Sequence, residues 1–171
     1  MIIGIAGKKG SGKDTLGQHL INKYGFIRYA FGDPVKEICR ILFDFNNEQL
    51  YGGLKEEIDL RYGIKPREAF QKIGTDFGRD YFQSLFPGFE NNLWVNIFKR
   101  KYQGQNLVIT DVRFQNEVDA IHELGGKVFL IKNNRVLNDE HLSERIEIKS
   151  DFVIENNGSL EEFYQNFDSL I

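Results

Sequence analysis

The sequence has one cysteine, three histidines and no apolar run near the ~20 residues that cross a membrane. It also lacks a positive excess: 22 Lys and Arg against 25 Asp and Glu give a net charge of −3, with a pI of about 5.7. A lone Cys39 excludes an intramolecular disulfide and a cysteine-rich zinc site, and its setting, Ile38-Cys39-Arg40-Ile41-Leu42, reads as a buried helix face rather than a nucleophile. His141 has only His19 and His122 as fellow histidines, both on expected helices, so a histidine metal cluster is excluded. The charge balance offers no global attraction to a nucleic acid polymer or an anionic membrane, and any affinity for phosphate must come from local clusters. The opening apolar run is too short for a secretory signal, which makes a cytoplasmic protein the expectation. Fixed-period repeats and low-complexity tracts are also missing.

What is present fits one domain over residues 1–171, with 41% hydrophobic and 13% aromatic content for its core. The most informative stretch is the first. Ile2, Ile3, Ile5 and Ala6 read as a buried strand, after which Gly7-Lys8-Lys9-Gly10-Ser11-Gly12-Lys13 fits seven of eight positions of G-x-x-x-x-G-K-S/T. That loop presents backbone N–H groups and a helix N-terminus to a chain of phosphates, and Lys13 adds a point charge for the outer ones. Asp14 takes the position where a hydroxyl would ligate Mg²⁺, and the hydroxyl follows at Thr15. A carboxylate beside polyphosphate is repulsive unless a cation lies between, so Asp14 either holds Mg²⁺ or is a first-turn acid favoured by the helix dipole. Thr15 also stands where a dinucleotide fingerprint needs its third glycine, which excludes that motif.

Strand and helix then alternate. Thr15 to Tyr24 has helical spacing and Gly25 as its cap; Phe26 to Phe31 reads as a strand. Asp33-Pro34 predicts a helix with Asp33 as N-cap and an apolar stripe of Val35, Ile38, Ile41 and Leu42. Lys36 in its first turn is either solvated or near the sheet's carboxyl edge, where ligands gather. Asn46 to Lys65 shows no period and predicts a mobile segment, whereas Pro66 to Tyr81 returns to helix with Phe70, Ile73 and Phe77 on one face. Gly74 and Gly78, four apart, thin that helix for a close backbone or a flat ligand, and Arg79 follows them.

Leu93 to Tyr102 predicts a helix carrying Trp94, and Leu107 to Asp111 a central parallel strand that ends in a carboxylate. Behind a phosphate loop, Asp111 reads as a metal-side acid; as a bare pattern it is equally a turn residue. Arg113 is open between a salt bridge to Glu117 and a phosphate contact. A helix over Val118–Leu124, a strand over Lys127–Ile131, a short strand Phe152–Ile154, a turn at Asn156-Asn157-Gly158 and a helix capped by Ser159 complete the order. The charged stretch from Asn133 to Ser150 is either a solvated excursion or a lid whose arginines close on a transferring phosphate.

The strings Gly7-K-K-G-S-G-K-D-Thr15, Phe31-G-D-P-V-Lys36, Gln71-K-I-G-T-D-F-G-Arg79, Leu93-Trp94-Val95, Thr110-D-V-R-F-Q-N-Glu117, His141-L-S-Glu144 and Asp151-F-V-I-E-N-N-G-Ser159 resemble the deoxynucleoside monophosphate kinases of the bacteriophage type. This resemblance implies a three-layer α/β/α P-loop NTPase fold with a central parallel sheet of about five strands, a helical substrate-side insertion over about 33–103 and a short lid over about 133–150. It implies transfer of the ATP γ-phosphate to a deoxynucleoside 5′-monophosphate with Mg²⁺ as cofactor. In that picture Gly10, Ser11, Gly12, Lys13 and Thr15 bind the ATP phosphates, and Asn156 and Gly158 lie along its base. Asp14 and Asp111 sit on the metal side. Lys36, Arg79 and Arg113 hold the acceptor phosphate with Gly74 and Trp94 nearby, and Arg135 and Arg145 come from the lid. The partners expected are ATP and the deoxynucleoside monophosphate, with no membrane and with a homodimer left open; the compartment is the host cytoplasm if the chain is phage-encoded. Phage members of the family are often longer, which leaves base specificity open, and Tyr81, Phe82, Phe86, Phe89 and Trp94 serve either base stacking or core packing. The rival readings are a dephospho-coenzyme A kinase or phosphomevalonate kinase on the same frame, a non-catalytic nucleotide-binding module, and a GTPase. The last would need a guanine-reading Asn-Lys-x-Asp, and the only Asn-Lys, at Asn22-Lys23, continues as Tyr24-Gly25.

Overall fold

A computed structural model describes residues 1–89, 93–134 and 148–171, which divide into two compact units, 1–30 with 102–171 and 31–101. The first unit holds five parallel strands in the order β2-β3-β1-β4-β5. They are β1 (Ile2–Gly7), β2 (Ile27–Tyr29), β3 (Leu107–Val112), β4 (Lys127–Lys132) and β5 (Phe152–Glu155). β1 lies between β3 and β4, pairing Ile2 with Leu107 and Ile3 with Lys127. Buried on both faces, it needs the continuous apolar run that the sequence supplies.

The side chains of β1 alternate between two helical layers. Ile3 and Ile5 join Leu16 and Leu20 of α1 (Lys13–Tyr24) and Phe163 and Phe167 of α8 (Leu160–Asp168) in one core, with Val108, Phe129, Ile131 and Ile154. On the opposite face Ile121 of α7 (Gln115–Glu123) reaches Gly4, and Gly126 packs on Ile121 and Ile2. The result is the expected three-layer architecture. The Gly25 cap is as expected, its N–H bonding Ile21 O, and Ser159 caps α8 through Glu162 N–H. Lys23, His19 and Tyr24 all reach Asp168, tying the far ends of α1 and α8. Partial burial pushes the Asp168 carboxyl up, but these donors together outweigh it and hold it below the usual carboxylate range.

The second unit is helical and departs from the sequence reading in three places. α2 (Asp33–Phe43) begins on Asp33 itself, with Gly32 at the N-cap. Its buried face is Val35 and Cys39, one turn apart, while the expected stripe residues Ile41 and Leu42 are 81% and 57% exposed. Burial pushes the Cys39 thiol up to about 11, consistent with an inert core residue.

The stretch expected to be mobile forms α3 (Asn47–Leu50), a 3₁₀ turn (Gly53–Glu56) and a bridge from Asp59 to Ile64. Asp59 organises it: the Arg61 guanidinium and the Gln49 amide both donate to its carboxylate, at 2.7 and 2.6 Å, and hold it far below the usual carboxylate range. Asn46 and Gln49 also form a capping box on α3, a signature present in the sequence as Asn-x-x-Gln.

The expected helix from Pro66 to Tyr81 is α4 (Pro66–Gln71) continued as a ten-residue π-helix, Lys72–Tyr81, then α5 (Phe82–Leu85). α6 (Leu93–Lys101) follows, with Trp94, Val95 and Phe98 buried. Because a π-helix has more residues per turn, the face counted at α-helical spacing is lost, and Phe77 is 36% exposed.

Candidate active site

The phosphate loop leaves β1 at the carboxyl edge of the sheet, where the order reverses and open α/β folds bind ligands. Within it, Lys8 O accepts two donors, the Ser11 N–H at 3.1 Å and the Lys13 ammonium at 2.6 Å. Gly12 is the N-cap of α1 with φ 109°, a conformation that favours glycine, and a Cβ there would also strike Asn156 Nδ2 and the Phe163 ring. A backbone bond at the start of α1 runs from Leu16 N–H to Gly12 O, so the N–H groups of its first turn lie at the helix N-terminus, ahead of the backbone ladder. With the positive end of the helix dipole, they form a ready anion site. Gly10, Asp14 and Thr15 are exposed, and Lys13 is half-buried. Ser11 is 1% exposed, and its Oγ has no hydrogen-bond partner among the described residues.

β3 delivers Asp111 through an irregularity. Gly4 pairs with Ile109 and Ala6 with Val112, three steps on β3 against two on β1. Val108 and Thr110 face α1 at Gly17, whereas Val112 lies by Gly4 on the α7 face. Asp111, half-buried, is thus the residue at which the alternation breaks, the placement a β-bulge produces beside many active sites. Two residues on, Arg113 is exposed. Glu117 accepts the backbone N–H groups of Arg113 and Phe114 at 2.8 and 3.2 Å, which makes it a cap for α7 rather than an ion-pair partner of the Arg113 guanidinium.

After β5, the Asn156 side chain donates from Nδ2 to Ser11 O at 2.8 Å, so its amide reaches the phosphate loop. Sequence spacing could not show this across 145 residues. Gly158 is exposed in the turn that precedes Ser159.

In the second unit Lys36 is half-buried with Nζ 4.2 Å from the Tyr51 ring centroid, and Arg79 is half-buried in the π-helix. Gly74 and Trp94, expected beside an acceptor, touch each other: the indole N–H donates to Gly74 O at 2.7 Å, and the ring lies on Gly78 where no Cβ would fit. At 1% exposure Trp94 is core and offers no face for base stacking. Arg135 and Arg145 lie outside the described residues.

The metal question turns on the donor set. Among the described residues no group of three or more His, Cys, Asp or Glu could hold an ion. Asp14 and Asp111 supply hard carboxylate oxygens at the loop and the adjoining strand, which fits a Mg²⁺ that arrives with a polyphosphate and keeps water ligands.

A phosphate loop with its lysine, on a five-stranded parallel sheet flanked by helices, defines a P-loop nucleotide-binding fold. The same fold is seen in shikimate kinase from Aquifex aeolicus, at 14% identity and a TM-score of 0.50, covering 99% of this chain and 95% of that one. The family model for deoxynucleotide monophosphate kinase matches residues 57–167, and the chain belongs to that family. A putative deoxynucleotide monophosphate kinase of Acanthamoeba polyphaga mimivirus is 39% identical over 185 residues, covering all of this chain and 96% of that protein. The deoxynucleotide monophosphate kinase of Escherichia phage RB69 is 29% identical over 132 residues, 71% of this chain and 51% of the phage protein. The Enterobacteria phage T4 enzyme is 27% identical, with 61% and 44% covered, so the chain matches about half the length of these phage relatives. The family model starts beyond the phosphate loop, whereas the match to the mimivirus protein includes it. No helix among the described residues is long and apolar enough to cross a membrane.

Proposed function

We propose that the protein transfers the γ-phosphoryl group of ATP to the 5′-phosphate of a deoxynucleoside monophosphate, giving the diphosphate and ADP. The carrying observation is the loop at the end of β1 with Asp111 at the end of the adjacent strand, in a chain of this family. The loop N–H groups and Lys13 hold the outer phosphates, and Thr15 donates to an inner one. Asp14 and Asp111 hold the metal directly or through water. Mg²⁺, when bound, neutralises charge on the bridging phosphate oxygens. Lys36, Arg79 and Arg113 hold the acceptor phosphate so that one of its oxygens displaces ADP in line, and Arg135 and Arg145 serve the transferring group. Gly158 borders the ATP base. In domain terms, 1–171 works as one kinase, with 33–103 its acceptor-side insertion and 133–150 its lid. Its partners are small nucleotides, with a homodimer as the assembly to test, and its compartment is the cytoplasm, that of the host if the chain is phage-encoded.

Coupling ADP release to a panel of dGMP, dTMP, dCMP, dAMP, dephospho-coenzyme A and phosphomevalonate tests the reaction. ADP should appear with one or more deoxynucleotides only. Release with neither class would leave a nucleotide-binding module, and release with one of the other acceptors would reassign the enzyme. Arg79→Ala should raise the acceptor KM by about tenfold or more, in keeping with loss of a charge-assisted phosphate contact, and leave the ATP KM within about twofold. Equal losses for both substrates would remove Arg79 from the acceptor site.

A further inference from the structure

From the contact between Asn156 and the phosphate loop, we infer that Asn156 is a positioning residue that aims the Gly12 N–H at the ATP phosphates. The inference rests on the reading of the loop as the ATP site. Asn156, one residue past β5, is fixed against the neighbouring strand β4 first, its backbone N–H donating to Lys132 O at 2.7 Å. From there Nδ2 donates to Ser11 O at 2.8 Å. A trans peptide is planar, with its C=O and N–H pointing in opposite directions. Holding the Ser11 carbonyl toward Asn156 therefore turns the N–H of the same peptide, that of Gly12, away from the β5–α8 side.

The bond has a second effect. Ser11 O is the group an additional helical turn would offer to the Thr15 N–H, four residues on. With that carbonyl engaged by Asn156, the backbone bonding of α1 begins at Leu16, and the Thr15 N–H has no backbone acceptor among the described residues. One amide thus keeps two donors at the loop available, and the fit is close enough that Gly12 has no room for a Cβ against Asn156 and Phe163.

The test compares Asn156→Leu, which keeps much of the bulk, adds no charge and loses the donor, and Asn156→Ala with the unaltered protein and Lys13→Ala. Binding of ATP, of inorganic tripolyphosphate and of adenosine is measured by calorimetry, with thermal melting as a control for folding. Both Asn156 variants should bind ATP and tripolyphosphate about tenfold more weakly and by the same factor, with adenosine binding and acceptor KM unchanged. Weakening confined to ATP and adenosine would make Asn156 a base contact and overturn the inference, as would unchanged tripolyphosphate binding or a loss that merely follows a lowered melting temperature. If the unaltered protein binds ATP and Lys13→Ala does not, the loop assignment stands whatever the Asn156 variants do; if neither binds, that assignment and this inference fall together.

Discussion

Lys13→Ala should lower phosphoryl transfer by about a thousandfold, the scale seen when one preorganised charge-stabilising donor is removed from an active site. The Lys13 ammonium is half-buried at the head of α1 and donates to Lys8 O, beside the N–H groups that open the helix. In the proposed reaction it supplies positive charge to the oxygens that gain charge as the β–γ bond breaks, and alanine would remove that charge. The fold should hardly notice. One hydrogen bond to a loop carbonyl contributes about 1 kcal/mol, so melting should shift by no more than a few degrees. Retained turnover would show that the phosphates bind elsewhere.

Trp94→Ala should act in the opposite sense, on the fold before the chemistry. Truncating an indole that is 1% exposed leaves a large cavity against Gly78 and strips Gly74 O of its donor. A loss of about 3–5 kcal/mol is expected for emptying such a site, and the melting temperature should fall by about 10 °C or more. Trp94→Phe, which keeps most of the bulk and loses the N–H, should cost much less. Trp94 is the only tryptophan, so the native emission should be that of a buried indole. A water-exposed spectrum, or an alanine variant that melts like the parent, would refute the packing of the helical unit.

The parts of the fold that could be read in the sequence were those set locally. A five-residue apolar run, a glycine-spaced loop and a capped helix sit next to one another along the chain, and β1, the loop and α1 follow from them. The strand that carries Asp111 and the Ser159 cap are equally local. What could not be read depends on residues far apart. The π-helix is tied at Gly74 O by an indole 20 residues away, and nothing at α-helical spacing announces that tie. α2 misled because Ile38, Ile41 and Leu42 look like a stripe, while the face in use is set by Cys39, one turn after Val35. Asn46 to Lys65 has no hydrophobic period because its order comes from the Asp59–Arg61–Gln49 ion and amide contacts. In the site, spacing named the loop, Lys13 and Asp111, but the anchoring of the loop by Asn156 crosses the length of the chain.

The extra residue in β3 carries an evolutionary implication. A side chain exchanged for another leaves the count between the partners of Gly4 and Ala6 untouched, so Asp111 keeps its place through ordinary drift in the strand. Gaining or losing a single codon there would re-phase everything beyond it. The acid's position is set by the number of residues in β3 as much as by their identity.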